Sequence, residues 1–305
     1  RPRVEWFMQS SLQAELADEI DVGKLYDAYR RFALKHAPIR SARQQLEVLS
    51  KHAENYRQFI SGAGESPIAQ FGRQIAAWDA SPVHAVALAI AASPIPVDQQ
   101  TPIFTDLYSY IVRRAICGLS TKSYNKVFLQ FLKRIKDGGI SPQAVRAALS
   151  SNIGDISRWP GDDEFLKSWL NLPFISTLNE VARVRQILVA LEQALRSNSS
   201  EEPVLSKTDH LDVEHILPVK WVDHWPVDGQ LVSKDEFNSA QTAEILGEPS
   251  QRQLAILRRE RRKDTVGNLT LLHFGVNRSL QHASFYVKRE RLFVESHLQL
   301  NRALM

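Results

Sequence analysis

A histidine flanked by acids and followed by a proline is the first feature of this sequence that could do chemistry. Residues 212–218 read DVEHILP, and this places His215 at the end of a predicted strand, because a proline cannot continue the pairing. Histidine titrates near neutral pH and can take a proton from water as a general base. The neighbouring carboxylates could hold a divalent cation. By itself, such a histidine is more often a hydrogen-bonded structural or surface residue.

A second segment, GNLTLL at residues 267–272, contributes asparagines. Asn268 lies near its start, and Asn277 follows nine positions later. Asparagine at a turn is normally explained by turn geometry alone, so this pattern is also weak in isolation. Amide oxygens are nevertheless ligands that a hard cation such as Mg²⁺ accepts.

These two segments need strands to position them, and the sequence predicts one for each. Residues 209–217 contain a short strand-like segment, and residues 265–274 are rich in β-branched and apolar residues. Residues 235–263 between them show a helical pattern, and another helix is expected from 277 to 298. Strand, long connection, strand and helix is the order of a ββα-metal nuclease site. The sequence therefore predicts such a unit with a helical insertion.

The part of the chain before these segments shows helical periodicity and no convincing strand alternation. Residues 121–136 carry an apolar face, and residues 181–195 carry a similar stripe, which is typical of a helix-bundle core. A polar run, SNSSEEP at 197–203, marks the predicted domain boundary. We therefore expect a mainly α protein, with an all-helical linker or interaction domain at 1–200 and the ββα domain at 201–305.

Composition argues against disulfide-rich, cysteine-zinc and membrane proteins. The single Cys117 excludes a disulfide framework and a cysteine zinc site, which fits a reducing cytoplasm. No apolar run approaches the roughly 18 residues that cross a bilayer, so no membrane role is expected. The chain begins at Arg1 without a secretion signal, and we expect it to be a piece of a longer polypeptide.

Charge is unevenly distributed along the last hundred residues. Residues 206–250 carry three lysines against nine acids, whereas residues 251–305 carry eleven lysines and arginines against four acids. This order suggests that the acidic stretch binds a metal ion and the basic stretch binds phosphate. A solvated basic helix is the alternative. The basic candidates before the second strand are Arg258, Arg259, Arg261, Arg262 and Lys263.

Taken together, three ordered segments resemble a known family. VEHILP, VGNLTLLHFGVNRSL and SFYVKRERL are similar to the C-terminal nuclease domain of the GmrSD-type restriction endonucleases and of the related SspE-type phage-defence effectors. The resemblance covers residues 205–298. It implies a His-Me finger (HNH) domain that cuts DNA, and it implies a sensor domain upstream in the full-length protein.

The resemblance also implies roles in catalysis. His215 is the implied general base, and Asn268 is the residue that ties the nearby loop and orients the imidazole. Asn277 and the acid before the histidine, Glu214, are the implied ligands of one Mg²⁺ or Mn²⁺. Adjacent strand residues face opposite sides, so Glu214 and His215 can share a site only if the strand twists or bulges. Asp212 therefore stays open as the alternative ligand.

The last candidates for phosphate or metal binding are basic and histidine residues on or near the final helix. Lys288 and Arg289 match positions that could hold a phosphate, with a solvated helix face as the alternative. His273 and His282 could replace a ligand or contact phosphate.

The resulting expectation is a cytoplasmic, metal-dependent endonuclease that nicks or cleaves duplex DNA of phage origin as the effector of a restriction system. An oligomer is compatible with the sequence. Two alternatives stay open, namely a catalytically idle DNA-binding or assembly module and a nuclease that cleaves RNA with the same site.

Overall fold

The computed structural model describes residues 3–36, 40–197, 210–275 and 283–302. The chain divides into two compact units, Arg1–Asp162 and Asp163–Met305. The described residues are mainly helical, which confirms the predicted mainly α class. The first unit contains α1 (Arg3–Leu16), α2 (Leu25–His36), α3 (Ala42–Ser61), α4 (Pro67–Ile75), α5 (Val83–Ala92), α6 (Val97–Ile116), α7 (Tyr124–Asp137) and α8 (Pro142–Ser150).

The first unit is organised around α5, which is apolar on nearly every face. Val86, Leu88 and Ile90 are fully buried, and α5 packs against α1, α3, α6 and α7. A helix that is apolar all round belongs in a core. The longest apolar run of the sequence is thus the centre of a helix bundle. No helix within the described ranges is long and apolar enough to cross a membrane.

The second unit combines helices with one small sheet. Strands β1 (Leu211–His215) and β2 (Leu269–His273) pair antiparallel, with His215 opposite Leu269 and Leu211 opposite His273. Its helices are α9 (Asp162–Asn171, beginning at the boundary), α10 (Phe174–Leu178), α11 (Val181–Ser197), α12 (Lys234–Leu246), α13 (Gln251–Arg262), α14 (Phe285–Glu295) and α15 (Gln299–Arg302).

The division between the units differs from the boundary predicted at residue 200. Helix α11 packs against β1, β2 and α15, so it belongs to the unit that holds the sheet. The positions of the polar run, 197–203, fall within the second unit rather than between the two units. Residues 198–209 themselves lie outside the described part of the chain.

The insertion between the strands is helical, as the pattern at 235–263 predicts, and it consists of two helices. Helix α12 ends at Gly247, whose φ of 81° lies in the left-handed region that favours glycine. Ser250 then begins α13 with a capping box to Gln253. The two helices enclose a separate apolar cluster with the segment after β1, formed by Leu217, Trp221, Val227, Val232, Ala240, Ile256 and Leu257.

A buried acid on α11 holds the C-terminal helix of the second unit. The carboxylate of Glu192 accepts the backbone N–H groups of Gln299 at 2.9 Å and Leu300 at 2.8 Å, and it pairs with Arg196 Nε at 2.5 Å. The Glu192 side chain is 0% exposed and that of Arg196 is 7% exposed. Both charges are therefore removed from water and depend on each other.

We expect Glu192→Gln to lower the stability of the second unit by about 3–5 kcal/mol, because it removes the buried carboxylate charge that Arg196 contacts. The exposed pair Arg291–Glu295 provides the control, and Glu295→Gln should cost no more than about 1 kcal/mol. Hydrogen exchange of the β1 and β2 amides measures both. Equal losses in the two variants would contradict the structural role of Glu192.

Candidate active site

His215 is the last residue of β1, where the sheet ends. Its backbone is paired with Leu269, and its side chain is 19% exposed. The following residue stays attached to the sheet, since Ile216 N–H donates to the carbonyl of Asn268 at 2.9 Å. The imidazole therefore projects from an ordered strand end at which water can reach it.

Asn268 connects the chain after His215 to the turn before β2. Its Oδ1 accepts the N–H of Leu217 at 2.7 Å, and its Nδ2 donates to the carbonyls of Leu217 at 3.0 Å and Lys263 at 2.6 Å. Both the donor and the acceptor capacity of the amide are used on backbone groups. This contact holds the segment that follows His215 in one position.

Asp264 is the carboxylate that the structure places beside His215. Its Oδ1 lies 3.1 Å from Nε2 of the imidazole, and its side chain is 32% exposed. Asp264 follows α13 directly, and its own backbone carbonyl accepts the N–H of Phe174 at 2.8 Å. Among the described residues, His215 therefore has one carboxylate partner, and it is a residue that the sequence patterns did not indicate.

The structure does not bring Glu214 to His215. Its carboxylate accepts Nζ of Lys288 at 2.5 Å, and the same ammonium donates to the backbone carbonyl of His215 at 2.7 Å. The Lys288 side chain is 2% exposed and that of Glu214 is 14% exposed. The strand does not bulge, so Glu214 and His215 face opposite sides of the sheet. A buried lysine with two partners is also not free to hold a phosphate.

Asp212 does not replace Glu214 at the site. Residues two apart on a strand share a face, so Asp212 lies on the Glu214 side of the sheet. Its carboxylate is 3.5 Å from Arg185 of α11. Within the described ranges, no group of three or more His, Cys, Asp and Glu side chains could hold a metal ion.

The remaining predicted metal and histidine candidates are either outside the described residues or distant. Asn277 and His282 lie outside the described part of the chain. His273 pairs with Leu211 at the other end of the sheet, four residues from the His215 pair, which is roughly 13 Å along the strands. Arg289 on α14 is exposed and contributes no described contact to His215.

The basic residues of α13 and the lysine that follows it form two groups. Some have a side-chain partner within the protein, and others have none among the described residues. Arg259 donates to the carbonyls of Trp225 and Pro226 and lies 5.5 Å over the Trp221 ring, and burial lowers its pKa. Arg261 pairs with Glu244, and Lys263 pairs with Glu260. The two that have no side-chain partner among the described residues are Arg258 and Arg262, and both are exposed.

Arg258 and Arg262 line an open groove of about 770 Å³ together with Asp264. The residue whose carboxylate contacts His215 thus lines the same groove as these two arginines. Positive side chains beside a candidate base are suited to a phosphate. The other lining residues are Leu170, Asn171, Pro173, Glu260, Arg261 and Thr265.

The comparison with protein families concerns this same part of the chain. Residues 159–305 match the GmrSD restriction endonucleases, C-terminal domain. The match begins four residues before the second compact unit at Asp163, and it supports a restriction-endonuclease domain, a nuclease that acts on DNA. No curated protein and no solved structure matches the chain. We use the name GmrSD-type domain below for residues 163–305 only as a label for this similarity.

Asp264 is the residue of the GmrSD-type domain that the sequence reasoning missed. It stands in the polar run RRKDT, where an acid after a basic helix resembles an ordinary solvated residue. Its position four residues before Asn268 was the available signal, since Asn268 was already predicted to lie near His215. Only the path of the chain between α13 and β2 shows that the carboxylate reaches the imidazole.

We expect Lys288→Met to destabilise the GmrSD-type domain by about 3–5 kcal/mol, because it leaves the largely buried Glu214 without its partner. The salt dependence of DNA binding should not change. Lys234→Met, at an exposed lysine that begins α12, is the control and should stay within about 0.5 kcal/mol. Chemical unfolding and anisotropy titrations measure the two quantities. A stable Lys288→Met variant with weakened, less salt-dependent DNA binding would instead show that Lys288 holds phosphate.

Proposed function

We propose that the GmrSD-type domain is a His-Me finger (HNH) endonuclease that hydrolyses phosphodiester bonds of duplex DNA as the effector of an anti-phage restriction system. The observation that carries this proposal is the position of His215. Its imidazole is partly exposed at a strand end, directly before the segment that Asn268 holds, and it contacts Asp264, which lines a groove together with Arg258 and Arg262. The family match supports DNA as the substrate.

The proposed reaction uses the free nitrogen of His215. Nε2 faces Asp264, and Nδ1 has no hydrogen-bond partner among the residues that the structure describes. Nδ1 takes a proton from water while the water oxygen bonds to phosphorus, and the bond from phosphorus to the 3′-oxygen breaks. The leaving oxygen takes its proton from solvent. A positioned general base of this kind contributes ~10²–10⁴-fold to the rate.

Mg²⁺ or Mn²⁺ remains part of the proposal on the family resemblance, although the ligands first considered do not fit a metal at His215. Glu214 is held by Lys288 and Asp212 lies near Arg185, both on the other side of the sheet. Asn277 lies outside the described residues. A bound ion would stabilise charge on the phosphate and the leaving oxygen. The steps assigned to His215 and Asn268 do not depend on which residues hold it.

The DNA-binding part of the proposal rests on Arg258 and Arg262. Arginine makes bidentate contacts with phosphate, and contacts of this kind position the duplex without reading its sequence. Arg259, Arg261 and Lys263 are occupied by partners within the protein, so we assign them to the structure of the insertion. Sequence or modification specificity is then proposed to come from a sensor domain elsewhere in the full-length protein.

We expect His215→Ala to reduce nicking of supercoiled plasmid in Mg²⁺ by at least ~10²-fold, because the variant lacks the base that activates water. Its affinity for duplex DNA should stay within about twofold. His224→Ala, an exposed histidine of the same domain, is the matched control and should cleave normally.

Cleavage by the wild-type protein should also stop in EDTA and return with excess Mg²⁺. Wild-type rates in the His215→Ala variant would contradict the assignment of the base. DNA binding without cleavage by the wild-type protein would favour an idle binding module, and cleavage confined to RNA would change the substrate class.

We expect the double variant Arg258→Gln/Arg262→Gln to flatten the dependence of log K on log salt by roughly 0.9 for each lost phosphate contact, hence about 1.8 in total. Anisotropy titrations on duplex DNA at several salt concentrations measure this slope. Sequence preference should not change, because the two side chains contact the backbone only.

The control for this experiment is Arg43→Gln/Arg57→Gln on α3, which removes the same charge from exposed side chains that pair with Glu47 and Glu54. Its slope should equal that of the wild type. An unchanged slope in the Arg258→Gln/Arg262→Gln variant would show that these arginines do not contact DNA.

A further inference from the structure

Asp264 is the side chain next to His215 that neither the motifs nor the family resemblance explain. We propose that Asp264 is a positioning residue, whose carboxylate accepts the Nε2 hydrogen of His215 and thereby keeps the lone pair on Nδ1. The inference rests on the proposed function for its effect on cleavage. Its structural part, the selection of one imidazole tautomer, can be measured without any cleavage.

The contact itself defines the tautomer. Asp264 Oδ1 lies 3.1 Å from Nε2 of His215. An ionised carboxylate only accepts hydrogen bonds, so the imidazole must donate from Nε2. In a neutral imidazole the other nitrogen is then the acceptor, which is the state that a base needs before it takes a proton from water. Without the carboxylate, both neutral tautomers are accessible, and one of them carries a hydrogen on Nδ1.

The backbone on both sides of the carboxylate is fixed. The carbonyl of Asp264 accepts the N–H of Phe174 at 2.8 Å, and the carbonyl of Lys263 accepts Nδ2 of Asn268 at 2.6 Å. The next residue closes the turn, since the Thr265 hydroxyl donates to the carbonyl of Arg262 at 2.8 Å. Asp264 is therefore presented to the imidazole from a turn held at three points.

The exposure of the pair fits a reacting group rather than a structural ion pair. The Asp264 side chain is 32% exposed and that of His215 is 19% exposed, whereas Glu192 and Arg196 in the buried pair are 0% and 7% exposed. The His215–Asp264 pair is thus partly exposed, and water can reach it. Asp264 also lines the groove that carries Arg258 and Arg262, so a phosphate held there would lie near the residue that contacts His215.

Asp264 would act twice in the proposed reaction. It orients the imidazole before the proton transfer, and it stabilises the imidazolium that forms when Nδ1 takes the proton from water. No proton moves to Asp264 in this step. The same division of work between a histidine base and a carboxylate that fixes its tautomer occurs in the Ser-His-Asp triad.

The first measurement uses the 305-residue chain labelled with ¹⁵N-histidine. Two-bond ¹H–¹⁵N correlation spectra distinguish the two neutral tautomers, and the His215→Ala variant assigns the His215 signals. We expect the Nε2–H form for His215 in the wild type, and the Nδ1–H form or a mixture in Asp264→Asn. The tautomer is read in the wild-type spectrum, and His215→Ala serves only to assign the signals, so a folding defect in Asp264→Asn cannot obscure the result. A wild-type His215 in the Nδ1–H form would overturn the inference.

The second measurement is plasmid cleavage by Asp264→Asn. We expect kcat to fall by about 10²–10⁴-fold while KM stays within about twofold, since the carboxylate acts on the base and not on DNA binding. Asp235→Asn, an exposed acid on α12, is the control and should leave both parameters unchanged. An unchanged kcat in Asp264→Asn, or a loss confined to KM, would overturn the inference.

The two measurements separate this inference from the proposed function. If His215→Ala cleaved as fast as the wild type, the proposed base would be wrong, yet the wild-type spectrum would still show whether Asp264 selects the tautomer. If His215→Ala lost activity and Asp264→Asn did not, the proposed function would stand and the role of Asp264 would be wrong.

Discussion

The side-chain amide of Asn268 is the interaction on which the arrangement of the site depends. It makes three hydrogen bonds, two to the backbone of Leu217 and one to the carbonyl of Lys263. These groups belong to segments that are more than forty residues apart, and the amide joins them beside the end of β1. The amide of asparagine accepts one hydrogen bond through its oxygen and donates two through its nitrogen. An ionised aspartate cannot donate, and a serine has only one hydrogen to donate. The positions of His215 and Asp264 relative to each other follow from this junction.

Because side chains alternate along β1, the buried ion pair and the proposed base lie on opposite sides of the sheet. On one side of β1, Glu214 and Lys288 form a buried pair that also binds the backbone carbonyl of His215. On the other side, His215 contacts Asp264 next to a basic groove. Adjacent residues of one short strand thus have different tasks, because their side chains point in opposite directions. A role in metal binding for Glu214 would require the Lys288 pair to be broken.

Much of the fold was predictable because it depends on local patterns. Apolar periodicity indicated the helical class, and the segments around His215 and Asn268 indicated two strands and the residue that joins them. The partners of charged residues were not predictable. Lys288 reaches Glu214 across 74 positions, and Asp264 reaches His215 across 49. A single sequence carries no signal for such pairs, since the same residues would be ordinary on a solvated surface.

The domain boundary and the helical insertion differ in the same way. The boundary depends on contacts between residues far apart in sequence, and the insertion depends on local sequence. The polar run at 197–203 breaks the helical pattern of the sequence, but its positions fall within the second unit, and the packing of α11 against the sheet decides to which unit that helix belongs. Helix α12 ends where the sequence reads GEP, so the division of the insertion into two helices is visible locally. Tertiary contacts therefore decide the boundary, whereas local sequence is enough for the insertion.

The most direct test of a site held together by Asn268 is a double-mutant cycle measured by single-turnover plasmid cleavage. The four proteins are the wild type, Asn268→Asp, His215→Ala and the double variant. Asparagine to aspartate keeps the shape but loses both donated bonds and places a carboxylate against two carbonyls. If Asn268 acts through His215, the double variant should cleave as slowly as His215→Ala and no slower. A double variant that is slower than His215→Ala by the full factor lost in Asn268→Asp would contradict this coupling.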